Sequence, residues 1–327
     1  MQIKRRRFAA SLLCSPALAG LGLAPLAQAA TRELRLLVGF APGGAADTVA
    51  RVVGDGLRES GYTVIVENRP GAAGRIATEA LAKAPADGGT LMMAPSSSLT
   101  LAPHIYPKLP YDPLRDFAGV GTVVRTSFAV AVGADSKAHS LAEFLELARR
   151  EPTLAAYGSP GAGSAMNLIG ELLAQQSGVP LTHVPYRGGS AAMTDLINGT
   201  LPMLVSSLPN LLPMHRNGRI RILAVSTDEP IPALPAVPTF KTLGFPDLAL
   251  QEDISIFAPA GTPAKTLTTL HEAVGQAVKA PRVANALREV EYDIHTTESP
   301  AALDRQIMES HQTWARIVAQ TGFTLDH

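Results

Sequence analysis

Apolar positions along the chain fall into short blocks of two alternating periods. Leu34–Phe40 is a mostly apolar run ended by Ala41-Pro42-Gly43-Gly44, as a buried parallel strand would be. Val49, Val52, Val53 and Leu57 then recur at helical spacing, and Gly61 closes that helix. Thr63–Val66 reads as a strand, a small-residue helix covers about Gly74 to Ala84, and Thr90–Ala94 is the next strand. This strand–helix alternation predicts a parallel sheet covered by helices.

The alternation resumes after a break. Gly121–Val132 is a long run of strand character, and Ser140-Leu141-Ala142-Glu143 is a capping box that opens a helix. Strands are predicted at Leu154–Tyr157, Thr182–Val184, Leu201–Val205, Ile220–Val225 and Ser255–Ala258. Helices are predicted from Ser164, from Ser190, from Thr262-Pro263 and from Ser299-Pro300, the last carrying the only tryptophan, Trp314. Pro230, Pro232, Pro235 and Pro238 predict an extended, stiff connection.

Composition narrows the class. With 46% hydrophobic and 17% charged residues, the 327-residue chain has enough apolar material to fold, in about two domains. The formal net charge of 0 hides an asymmetry. Lys4-Arg5-Arg6-Arg7, an apolar stretch from Phe8 to Leu26 and Ala27-Gln28-Ala29 make the three parts of an export signal, cleaved near Ala29. Arg5-Arg6-Arg7-Phe8 also fits a twin-arginine start, so either export route is open. Without residues 1–29 the chain has 24 basic and 28 acidic residues, a net charge of −4 that argues against a nucleic-acid partner. The single cysteine, Cys14, lies in that leader, so no disulfide, thiolate nucleophile or cysteine–metal site is expected in the mature, periplasmic protein.

Four turns that precede helices are built from small residues. They are Ala41–Asp47, Asn68–Gly74, Gly158–Ser164 and Arg187–Ala191. A helix N-terminus presents unsatisfied N–H groups and about half a positive charge, and glycine lets an anion approach them. Four such ends in one cleft would hold a carboxylate or phosphate without any arginine. In open α/β sheets ligands bind at the carboxyl ends of the strands, where these turns fall. Asp47, in the first turn of its helix, also complements the helix dipole.

Catalytic motifs are weak by comparison. No G-x-x-x-x-G-K-[ST] occurs, and Gly188-Gly189-Ser190-Ala191-Ala192 misses a nucleophile elbow by one residue. The eight histidines form no H-x-x-x-H or E-x-x-H pair, so no metal site is expected. His183 reads as a packed histidine, and Asp112 and Asp116 as part of a solvated turn.

The chain resembles the substrate-binding receptors of tripartite tricarboxylate transporters, the Bug-type solute-binding proteins. The stretches that carry the resemblance are Ala41-Pro42-Gly43-Gly44 with Asp47 and Ala50-Arg51, Glu67–Gly74, Tyr157-Gly158-Ser159 to Ser164, Val184–Gly188, Leu223–Thr227 and Ala258–Pro263. It implies an α/β, two-lobed periplasmic-binding-protein (type II-like) fold with the ligand cleft between the lobes. Lobe 1 would comprise 30–130 and 253–327, and lobe 2 131–252, after a signal peptide at 1–29. The implied function is capture of a small organic acid and its delivery to a membrane permease, by a monomer without catalysis or cofactor. The alternatives are an exported sensory receptor for a carboxylate, and a serine hydrolase using Ser190 or Ser164.

The resemblance also implies ligand-binding residues. From lobe 1 these are Ala41, Gly43, Gly44, Ala45 and Asp47; from lobe 2 they are Ser159, Gly163, Ser164, Ala165, Tyr186 and Gly189. Three positions depart from the family pattern. Asn167 stands where histidine is usual, Ser206 where an acid is common, and tryptophan is missing near Ile254 or Ser255. Ser206, with Ser207 beside it, is counted as a further cleft residue. A hydroxyl cannot neutralise an ammonium, so acids without an amino group are the expected ligands unless Asp47, Glu252 or Asp253 reaches the cleft.

Overall fold

Strand β1 (Arg32–Val38) leads through a glycine turn into α1 (Ala45–Leu57), and β2 (Tyr62–Asn68) returns beside β1. Helix α2 (Arg75–Ala82) and β3 (Thr90–Pro95) complete the predicted alternation, with β2, β1 and β3 mutually parallel. The computed structural model describes residues 32–325, so the export segment, Cys14 and the cleavage position at Ala29 lie outside the described residues. No described helix is long and apolar enough to cross a membrane.

The expected parallel sheet is in fact mixed. After two short helices, α3 (Ser97–Thr100) and α4 (Ala102–Ile105), the chain forms β4, which runs from Phe117 to Gly133. A late strand, β9 (Gln251–Pro259), inserts between β3 and β4 and is antiparallel to both. Local periodicity identifies these strands but carries no information on direction, which depends on a partner more than a hundred residues away.

β4 is the spine shared by two halves of the sheet. From Phe117 to Ser127 it pairs with β9; from Phe128 to Gly133 it pairs with β7 (Leu204–Ser207) and β8 (Ile220–Val225). Helix α5 (Leu141–Arg150) precedes β5 (Ala156–Ser159), then α6 (Ala165–Ser177), β6 (Thr182–Pro185) and α7 (Gly189–Ile197) follow. Ser140 caps α5 by accepting from the Glu143 amide, and Glu143 accepts from the His139 amide. β5 lies parallel to β6 and β7, so the strand order reads β2-β1-β3-β9-β4-β7-β5-β6.

Helix α8 (Leu208–Arg216) has no sequence signal, because Pro209 and Pro213 read as breakers. Pro209 lies in the first turn, where no N–H is needed. The proline-rich connection is not extended. It folds into successive turns, Leu234 N–H to Ile231 O and Val237 N–H to Leu234 O, that bury Ile231, Leu234 and Val237 against the second half. Prolines favour the first central position of a turn, and the apolar residues between them supply the packing.

The last segment comprises α9 (Ala264–Lys279), α10 (Pro281–Glu289), β10 (Asp293–Ile294) and α11 (Pro300–Thr321). α11 joins both halves. Leu303 and Ile307 pack with Leu37 and Phe257, while Trp314 and Val318 enter the cluster of Phe128, Tyr157 and Leu173. The first half has its own core of Leu34, Leu36, Val49, Val53, Ile254 and Ile256 beneath α1.

Candidate functional site

The four glycine-rich turns meet two by two across the joint between the halves. Ala41 N–H donates to Arg187 O at 3.3 Å and Ser190 Oγ donates to Pro42 O at 3.1 Å. Gly188 has φ +135°, and a side-chain carbon there would lie 3.1 Å from Ala41, so only glycine fits this approach. On the other flank, a side-chain carbon at Gly161 would lie 3.3 Å from the Ala73 backbone, and Tyr106 Oη donates to Ala162 O at 2.9 Å. The Arg75 guanidinium stacks over the Tyr106 ring at 3.6 Å.

Asp47 organises the first turn from behind. It is 2% exposed and accepts from Gly43 N–H (2.8 Å), Arg51 Nε and Nη2 (2.9 Å each) and Asn68 Nδ2 (2.8 Å). Burial alone would raise its carboxyl, but these hydrogen bonds and the Arg51 charge hold it below the usual value. Both oxygens are therefore taken up within the protein. Asp47 fixes the turn that Gly43 and Gly44 form. Asn68 also donates to Phe40 O at 3.1 Å, tying the first turn to the second.

Uncharged side chains hold the turn of the second half, with the Glu171 carboxylate behind them accepting from Tyr157 Oη at 2.8 Å. Ser159 Oγ lies 2.7 Å from His183 Nε2 and donates to Gly161 O at 3.1 Å. Asn167 Oδ1 accepts from Gly163 N–H at 3.0 Å, and its Nδ2 donates to Tyr157 Oη at 2.8 Å. Burial pushes the His183 imidazolium down to about 4, so the ring is neutral at pH 7. Ser164 bonds within its own turn. Ser164 Oγ donates to Gly161 O at 2.7 Å and accepts from the Asn167 amide at 3.2 Å, and its own amide donates to Gly161 O at 3.1 Å. Ser164 is the N-cap of α6, and the free donors of that helix end are the amides of its first turn, beginning at Ala165.

The remaining predicted residues divide between the two flanks. Gly43, Gly44 and Ala45 line a cavity of about 320 Å³ together with Ser190, Asn210 and Tyr292. Gly189 lies against Asn210 and Ser206, and Asn210 Nδ2 donates to Ser206 Oγ at 3.1 Å. Tyr186 donates to Asp195 at 2.7 Å, so its hydroxyl braces α7. Burial, with Asp195 adding to it, raises that hydroxyl to about 12. Ser159, Gly163, Ser164 and Ala165 occupy the other flank, beside Ala73 and Tyr106.

Sequence reasoning missed a buried polar belt between the flanks. Ser96, Ser97 and Ser98 follow β3, and Thr126 and Ser127 lie where β4 passes from one half to the other, next to Phe128, which pairs with the Ser207 already named from the sequence. Hydroxyls buried beyond the needs of the core are the available signal, and it appears only once burial is known.

Helix N-termini facing one another across a two-half sheet are the architecture of a substrate-binding receptor. The family model described as tripartite tricarboxylate transporter family receptor matches residues 49–323, and the chain belongs to that family. Protein BugT of Bordetella pertussis is 31% identical over 296 residues, 90% of each chain. A Rhodopseudomonas palustris protein solved with adipate superposes with a TM-score of 0.84 at 30% identity, over 89% of this chain and 98% of that one. MatC of the same organism, solved with bound malate, gives 0.83 at 27% identity, over 88% and 99%. The protein is thus a Bug-type receptor with the two-lobed fold of periplasmic binding proteins.

Proposed function

We propose that this receptor captures a small dicarboxylate in the cleft between its halves and presents the closed complex to the membrane permease of a tripartite transporter. The observation that carries this reading is the pairing of all four glycine-rich turns across one joint, with helix N-termini behind the turns of both halves. The adipate and malate of two similar structures supply the ligand class. In this reading lobe 1 is 30–130 with 253–327 and lobe 2 is 131–252. The passage of β4 from β9 to β7 and β8 after Ser127 supports a hinge near the first crossing. The same reading has the leader directing export to the periplasm with cleavage near Ala29, and a monomer as the working unit.

Binding without turnover is supported by what the candidate serines do. Ser164 and Ser190 donate to the carbonyls of Gly161 and Pro42, and neither bonds a histidine. Calorimetry against mono-, di- and tricarboxylates and sugars tests the proposal. At least one dicarboxylate should bind with a dissociation constant near micromolar, about −8.2 kcal/mol. Binding of sugars alone would end the carboxylate reading.

A further inference from the structure

Glu252 sits at the joint of the two halves. It lies at the start of β9, opposite Thr126 on β4, one residue before β4 leaves β9 for β7 and β8. Side chains alternate along a strand. Glu252 therefore shares the face of Ile254 and Ile256, which pack beneath α1, while Asp253 faces Arg125 and Gln306. The turn after β3 closes over this end of β9, with the Ser96 amide donating to Asp253 O. Here the carboxyl ends of the parallel strands β1 and β3 look toward the second half, the usual place for a ligand in such a sheet.

The Glu252 side chain is 5% exposed, and its Oε2 is buried without a hydrogen-bond partner among the described residues. The charges around it do not help. On β4, Arg125 is bound to Asp253 at 2.8 Å, with His295 beside it. On α1, Asp47 and Arg51 neutralise each other. The turn after β3 offers only Ser96, Ser97 and Ser98, and α11 offers Gln306, which donates to Asp253, and Glu309, a further acid lining the same cavity of about 340 Å³ as Glu252 and Arg125. Burial foremost, with the Asp253 charge adding to it, raises the Glu252 carboxyl to about 7, although the Ser97 hydroxyl and amide pull it down. An ionised Glu252 would repel a carboxylate ligand. A protonated one would add a donor to a cleft otherwise made of donors.

We propose that Glu252 is a specificity residue of the cleft: in the complex it holds a proton and donates it through Oε2 to a carboxylate of the ligand, so that capture of a dicarboxylate takes up one proton. The inference rests on the carboxylate reading above and deepens it. The helix N-termini hold one end of the ligand through N–H groups, and Glu252 reads the other as an acceptor. An ammonium there would instead require the ionised carboxylate, so the proposal selects against α-amino acids.

The test is calorimetric titration in buffers of different ionisation enthalpy. A panel of four- to six-carbon dicarboxylates, malate and adipate included, is screened at pH 6, and the tightest is carried forward. With the carboxyl at about 7 in the empty protein, binding at pH 8 should take up about 0.9 proton and be about tenfold weaker than at pH 6. Glu252→Gln, which mimics the protonated form, should abolish both the uptake and the pH dependence, and bind about tenfold more tightly than wild type at pH 8. His183 is neutral across this range and does not mimic the effect. Dicarboxylate binding without proton uptake in the wild type would overturn the assignment of Glu252, even if the variant failed to fold. Tighter binding of aspartate than of malate at pH 8 would overturn it as well. Failure of every carboxylate at pH 6 would remove the receptor reading and this one together.

Discussion

The two halves hold their helix-initiating turns by opposite means. In the first, a buried carboxylate clamps the turn: Asp47 gathers Gly43, Arg51 and Asn68, with Arg51 half in solvent. In the second, the side chains that touch the turn, Ser159, His183 and Asn167, are uncharged, and the one carboxylate of the network, Glu171, stands behind them and accepts from Tyr157 Oη. A charge accepts several donors strongly and orients a turn by itself, but at the cost of desolvation. A neutral network avoids that cost and needs every partner in place. The contrast suits the site. At the start of α6 the turn itself is held by uncharged side chains, with Glu171 one step back behind Tyr157, whereas in the first half the Asp47 carboxylate bonds the Gly43 amide directly and is paired with Arg51.

The largest expected effect comes from breaking the charged side. Asp47→Ala leaves Arg51, Asn68 and the Gly43 amide without their acceptor and should lower stability by about 3 kcal/mol, read by denaturant unfolding at pH 7. If Asn167→Ala costs more than this, the ranking of the two halves is reversed.

Acid separates the two devices more finely. His183 protonates near 6.5 when unfolded and near 4 when folded, so it withdraws stability as pH falls from about 6.5 to 4. Glu252 works the other way. Its folded value of about 7 lies above the unfolded 4.5, so stability rises as pH falls from about 7 to 4.5. Each contributes at most about 3 kcal/mol, and the opposed slopes should leave the wild type nearly flat between pH 4.5 and 6.5. Glu252→Gln should expose a decline toward acid, and His183→Gln a rise. The Asp47 clamp, lowered below 3.8, fails only under more acidic conditions. Thermal melts of the three proteins without ligand at half-unit steps of pH check these slopes.

Asn167→Ala tests the neutral side directly. It leaves the Gly163 amide without its acceptor and removes one donor from Tyr157 Oη, which keeps Asn167 O and Glu171, and should cost about 2 kcal/mol, with weaker ligand binding as the turn loosens. Unchanged binding in calorimetry would show that the turn does not depend on the network. Ser164→Ala is the smallest change, since the hydroxyl only caps α6 and bonds Gly161 O. About 1 kcal/mol of stability should be lost, with little change in affinity. A tenfold loss of affinity at preserved stability would return Ser164 to direct ligand contact.

The sequence alone determined the local chemistry. Periodicity located the strands β1 to β3 and the helices α1 and α2 between them, capping residues located the starts of α5, α6 and α11, and small residues marked four turns at helix N-termini. The order of those motifs was enough to identify the family. These signals are readable because each depends on neighbours within a few residues. Only the tertiary structure decided which turns meet, that β9 inserts antiparallel between β3 and β4, and that Asp47 and Ser164 are taken up inside the protein. It also decided that Glu252, one carboxylate among 28 acidic residues, is buried at the joint with its Oε2 lacking a hydrogen-bond partner among the described residues. Burial and pairing are properties of residues distant in sequence, and a carboxylate reads the same on a wet surface as in a dry cleft until the fold sets the dielectric around it.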